Sequence, residues 1–243
     1  MKYLMCIILF ASFTCKGGIS VVNGLSHEHQ NAQLTGSIKV KNEGTKTERV
    51  SLYLQDLVPN CDGSVVYQEP SGQQWIFLDK DFIELGAGEE VEVKYSLVPF
   101  KERETSQWQV VMVEAEDPIA TDHQGGVQIN SKVRYAIQIV LHAGAYQAPE
   151  VGFHEVKLNS KETISVTLKN HGSYMTFVNL KLEVLTEEGK IVKVFEGNKR
   201  RIYPGYCTTF TIPVDDIPAG KYAGVLVADN GKDLYGSHLL LEL

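Results

Sequence analysis

The sequence predicts an all-β chain of two tandem immunoglobulin-like β-sandwich domains behind an N-terminal signal segment. Three observations carry this. Two strings, "IKVKNEG" at Ile38–Gly44 and "VTLKNHG" at Val166–Gly172, are one phrase written twice, and further echoes follow in the same order along the chain. Apolar and polar residues alternate with period two over short segments separated by Gly, Pro and Asn. No segment carries a convincing helical period: "SKETISVTL" resembles a helix start at Ser160, but Ile164, Val166 and Leu168 alternate as in a strand.

The first residues, "MKYLMCIILFASFTCKGG", combine Lys2, an apolar run to Phe13 and small residues beyond it, which reads as a secretory signal over 1–17. A rival reading lipidates Cys15 and is the one route to a membrane. The expected location is periplasm or cell surface. Cleavage after Gly17 removes Lys2 and Lys16 and takes the formal charge from −7 to −9, which disfavours nucleic acid and anionic lipid as partners.

The first domain is expected over 18–143 and the second over 148–243, joined by "HAGAYQAP" from His142. In the first, "ISVVNGLSHEHQ" supplies the opening strand. "IKVKNEG" is a strand running into a turn, where Asn-x-Gly is expected to provide residues tolerant of positive φ. Val50, Leu52 and Leu54 follow at the offset that Val178, Leu180 and Leu182 keep in the second copy. "IELGAGEEVEVKYSLVP" from Ile83 matches "IYPGYCTTFTIPV" from Ile202, and "WQVVMVEAED" from Trp108 matches "YAGVLVADNG" from Tyr222. The first copy carries longer insertions, among them the loop between Val58 and Gln74.

Catalytic chemistry finds no footing, so the chain is read as a non-enzyme without cofactors. His27 and His29 share a strand face, but a metal would need further ligands and none is evident. The carboxylates of "EAEDP" read as a solvated rim, and Gly125-Gly126 as a turn. Cys61 and Cys207 fall at non-equivalent places in different copies and are read as unpaired thiols; a bridge would require Cα atoms within about 7 Å.

The most informative stretch is "VQINSKVRYAIQIVL". Its odd-numbered face runs Val127, Ile129, Ser131, Val133, Tyr135, Ile137, Ile139, Leu141, apolar but for Ser131. One strand of that length spans roughly 50 Å, so part of it is expected to lack a partner in its own domain and to capture another polypeptide by strand addition. Two shorter strands joined by a bulge near Ser131, both buried in the first sandwich, form the alternative.

On "ISVVNGL", "IKVKNEG", "FIELGAGEEVEVKYSLVP", "WQVVMVEAEDP" and "VRYAIQIVL", the chain over Ile19–Leu141 resembles the PapD-like periplasmic pilus-assembly chaperones. The resemblance implies two immunoglobulin-like domains set at an angle, with the last strand of the first donating apolar side chains to a subunit that lacks a strand. It thus implies an exported chaperone-like protein whose partner is an exported subunit or surface polypeptide. Val127, Ile129, Val133 and Tyr135 would make the contact, with Lys132 or Arg134 as a charged anchor. Members that clamp a carboxylate also use an Arg in the first strand, whereas "ISVVNGLSHEHQ" has neither Arg nor Lys. Two other classes stand beside this one: a structural or adhesive surface module, and a carbohydrate-binding module using Tyr67, Trp75 or Tyr174.

Overall fold

A strand covered on both faces cannot alternate polar with apolar, and the runs "WQVVMV" and "AIQIVL" are of this kind. Their surroundings are seen in a computed structural model that describes residues 18–30, 33–98, 104–116, 132–144, 149–160, 163–214 and 216–243. The signal segment and the linker centre lie outside the described residues, as do Val127 and Ile129.

Among the described residues ten strands precede the linker: β1 (Ile19–Val21), β2 (Ser26–Gln30), β3 (Thr35–Asn42), β4 (Glu48–Pro59), β5 (Val65–Gln68), β6 (Ile76–Leu78), β7 (Phe82–Leu85), β8 (Glu90–Leu97), β9 (Ser106–Ala115) and β10 (Arg134–His142). Eight follow it: β11 (Val151–Ser160), β12 (Thr163–Asn170), β13 (Thr176–Leu185), β14 (Ile191–Glu196), β15 (Arg200–Ile202), β16 (Cys207–Pro213), β17 (Lys221–Asp229) and β18 (Leu234–Glu242). No helix occurs among the described residues.

Each half is a two-sheet sandwich. The first packs β1-β3-β8-β6 on β2-β10-β9-β4-β5, with β7 also on β4. The second packs β11-β12-β16 on β14-β13-β17-β18, with β15 on β13. The sequence echo is an echo of pairing. β3 pairs β8 as β12 pairs β16, β4 pairs β9 as β13 pairs β17, and β9 pairs β10 as β17 pairs β18.

Three apolar clusters result. One, around Ile38, Leu52, Val111, Val113, Ile137, Ile139 and Leu141, fills the first sandwich; another, around Val166, Leu180, Phe210 and Leu226, fills the second. The third lies between them: Leu57, Val110, Met112 and Val140 from the first meet Met175 and Tyr203 of the second. This seam explains the continuous runs. Val111 and Val113 of β9 point into the core while Val110 and Met112 point into the seam, and Val140 of β10 does likewise between Ile139 and Leu141.

Two expectations need correction. Neither Gly44 nor Gly172 has a positive φ. The repeated motif works through its Asn instead. Asn42 and Asn170 are fully buried, and their Oδ1 atoms accept from the amides of Gly44 (2.8 Å) and Gly172 (3.0 Å). Their Nδ2 groups donate to Lys46 and Leu85 carbonyls, and to Tyr174 and Ile202 carbonyls. A buried amide thus ties each turn to a second segment. The cysteines are also not unpaired: Cys61 and Cys207 form a disulfide with Cα atoms 4.8 Å apart. Non-equivalence in the repeat was no obstacle, because the facing surfaces of the two sandwiches are themselves non-equivalent.

Candidate functional site

The site is built on β10. On one side β10 pairs with β9 along its whole length, Arg134↔Glu114 to His142↔Ser106. On the other it pairs in parallel with β2, but only from Gln138↔Ser26 onward. Among the described residues no strand pairs with Arg134–Ile137 on that side.

The predicted contact residues divide near the start of β10. Val133 is 38% exposed and precedes the strand. Tyr135 packs against the first core, and its hydroxyl donates to the Ile19 carbonyl at 2.9 Å. Ile137, Ile139 and Leu141 are fully buried. The apolar face from Tyr135 onward therefore belongs to this protein's own sandwich, while Val133 lies outside it. Within the described residues the strand starts at Arg134; the extent of pairing upstream lies outside them.

Even-numbered side chains of β10 face the seam. At its outer end Glu114 accepts from Lys132 at 2.6 Å and from the Tyr53 hydroxyl. These bonds, led by Lys132, hold the Glu114 carboxyl below its usual range, while burial and then Glu114 push Tyr53 up. Glu114 is thus part of a cluster with Lys132 and Tyr53 and is more than a solvated rim. Deeper in, Gln138 donates to the Tyr203 hydroxyl, and Trp108 donates to the Leu57 carbonyl (3.0 Å) with its ring 4.9 Å from that of Tyr203.

A guanidinium does meet the first strand, from the second sandwich. Arg201 Nη2 lies 2.9 Å from both Ser26 Oγ and Glu28 Oε1, and its guanidinium stacks over Phe177. Beside it opens a cavity of about 490 Å³ lined by Glu28, His142, Tyr174 and Lys199. At its floor His142 Nδ1 is 2.8 Å from Ser106 Oγ, which also accepts the Met175 amide.

His27 and His29 do share one face, and what they meet is a tyrosine. Their Nδ1 and Nε2 atoms lie 2.9 and 2.8 Å from the Tyr95 hydroxyl. Burial, then His27, lowers the pKa of His29, and burial pushes Tyr95 far up. No group of three or more His, Cys, Asp or Glu able to hold a metal occurs among the described residues. The candidate stacking platforms are also committed: Trp75 is buried in the first core, and Tyr174 is buried with its hydroxyl on the Ala143 carbonyl.

Arg201, Tyr203 and Gln138 were not singled out by sequence reasoning. The run Lys199-Arg200-Arg201 was visible, but nothing local says that it faces another domain.

Paired immunoglobulin-like sandwiches, joined across an apolar seam, define the class of this fold. Neither a protein-family model nor a curated protein sequence matches the chain. Solved structures do. A chain of the chaperone–tip adhesin complex of CFA/I fimbriae biogenesis is 14% identical over 93% of this chain and 98% of that one, with a TM-score of 0.57. The class 5 fimbriae chaperone CfaA is 14% identical over 93% and 100%, with a TM-score of 0.55. The CsuC–CsuE chaperone–tip adhesion subunit pre-assembly complex from archaic Csu pili of Acinetobacter baumannii gives 15%, 91%, 98% and 0.53. The chain has the two-domain fold of these pilus chaperones.

Proposed function

We propose that the protein is an exported, non-enzymatic, chaperone-like binding protein that captures an exported subunit or surface polypeptide by strand addition. The observation that supports this is that β10 runs beyond the start of β2, so that no described strand pairs with its outer edge at Arg134–Ile137. A strand laid there would take main-chain hydrogen bonds from the edge, with selectivity from upstream apolar side chains. Val127, Ile129 and Val133 are the residues proposed to meet the partner, with Lys132 and Arg134 as charged neighbours. Tyr135 holds the edge in place through Ile19. The chaperone fold of the solved neighbours, and the pairing of two of them with adhesin subunits, support the reading, as do the signal-like first residues and the disulfide, which suit a periplasmic or surface location.

The test replaces Ile129 and Val133 by Lys. Pull-down from periplasmic or surface extract should lose the partner while the melting temperature holds, because Val133 is outside the core. Hydrogen exchange on the wild-type complex should show new protection of the Arg134–Ile137 amides. A second reading, a rigid structural or adhesive surface module, is favoured by the covalently closed seam. Loss of melting stability in the Lys variant, with no change in edge protection on mixing, would select it.

A further inference from the structure

The two sandwiches are joined covalently at two places. The linker leaves β10 and enters β11, while the Cys61–Cys207 bridge leaves the β4–β5 hairpin and enters the start of β16. In the first sandwich the order β10-β9-β4-β5 sets these attachments two to three strand spacings apart, roughly 10–14 Å. In the second they fall on the opposite edges of β11-β12-β16, about 10 Å apart. A linker alone is a single covalent pivot; a second tie placed away from it restricts rocking about that pivot. The hairpin tip is further held by the Thr209 amide, which donates to the Cys61 carbonyl at 2.5 Å. Cys61 is nevertheless exposed and Cys207 half-exposed, so a reductant can reach the bond without unfolding the chain.

We infer that Cys61–Cys207 is a thiol–disulfide exchange site that sets the angle between the sandwiches, clamped when oxidised and released when a dithiol reduces it. A thiolate of the dithiol attacks Cys61 Sγ; the bridge breaks, and Cys207 leaves as a thiolate that takes up a proton. The second thiolate of the dithiol then attacks its own sulfur in the mixed disulfide and releases Cys61, which is protonated in turn. The dithiol loses two electrons and the bridge gains them. The inference does not depend on what β10 captures.

The experiment uses the intact mature chain with dithiothreitol under native conditions. Titration should find both thiols released while the far-UV circular dichroism stays unchanged. Small-angle scattering should move from one compact arrangement to a broader distribution with a larger radius of gyration. Reoxidation should restore the first profile, and C61S/C207S should match the reduced chain. Scattering that superimposes on the oxidised profile overturns the inference, because the seam would then hold the angle unaided. So does reduction that proceeds only in denaturant, or that abolishes the circular dichroism, since the bridge would then be a folding staple.

Discussion

Gln138 of β10 donates its side-chain amide to the Tyr203 hydroxyl across the seam, and both side chains are buried. Tyr203 packs in the apolar seam with Val140, Met112 and Tyr206, so water cannot replace a lost partner cheaply. Tyr203→Phe should cost about 1–3 kcal/mol in urea unfolding by stranding the amide. Gln138→Leu with Tyr203→Phe should recover part of that loss. An additive double-mutant cycle would show that the two groups act independently.

Gly36 is fixed by what lies across from it. In the β3–β8 register it faces Tyr95, whose ring and hydroxyl occupy the space a Cβ would need. The ring has little freedom to yield, since His27 and His29 both bond its hydroxyl. Gly36→Ala should therefore destabilise the first sandwich by about 1–3 kcal/mol, read as a fall in melting temperature. A Tyr95→Phe background should not rescue it fully, because ring carbons clash as well as the oxygen.

These residues show where sequence reading reaches and where it stops. Duplication, strand content and the two cores were legible because they rest on local alternation and on order along the chain. The buried roles of Asn42 and Asn170 were visible as a repeat, but the cause was misassigned, because side-chain reach to a carbonyl some thirty to forty residues away has no local signature. The seam was legible only as a surplus: "WQVVMV" has more apolar residues than one buried face requires. The disulfide and the Arg201–Glu28 pair depend wholly on how two sandwiches dock, which spacing does not encode. The start of β2 pairing at Gln138 required coordinates, because it depends on where another segment of the first sandwich ends up and not on the alternation within "VRYAIQIVL".

His142 gives the seam a pH dependence of definite sign. Burial lowers its pKa below the ordinary value; Glu28 pulls it up and Arg201 pushes it down, while Ser106 and the stacked Tyr174 ring complete its surroundings. With the folded pKa depressed, the unfolded chain binds the proton more readily. The stabilisation is complete above the unfolded value of about 6.5 and is lost progressively as pH falls below it. His29 shifts in the same direction. His142→Gln should flatten the fall in unfolding free energy between roughly pH 7 and 5, and His29→Gln with it should flatten it further. An unchanged slope would assign the acid sensitivity to other groups.

The two sandwiches should fold as separate units divided between His142 and Pro149, yet remain one molecule after the chain is cut there. Each has its own core, so cleavage in that segment should leave both folded. The bridge joins residues 146 apart in sequence and on opposite sides of the cut. Limited proteolysis should therefore give a single species without reductant and two fragments with it. In the chain-entropy picture a closed loop of that length contributes up to about 5 kcal/mol, so reduction should also lower the unfolding midpoint of the uncut chain. Calorimetry of the separated fragments decides the domain reading. Two independent cooperative transitions are expected, and a fragment that melts without one would show that its sandwich depends on the seam for its fold.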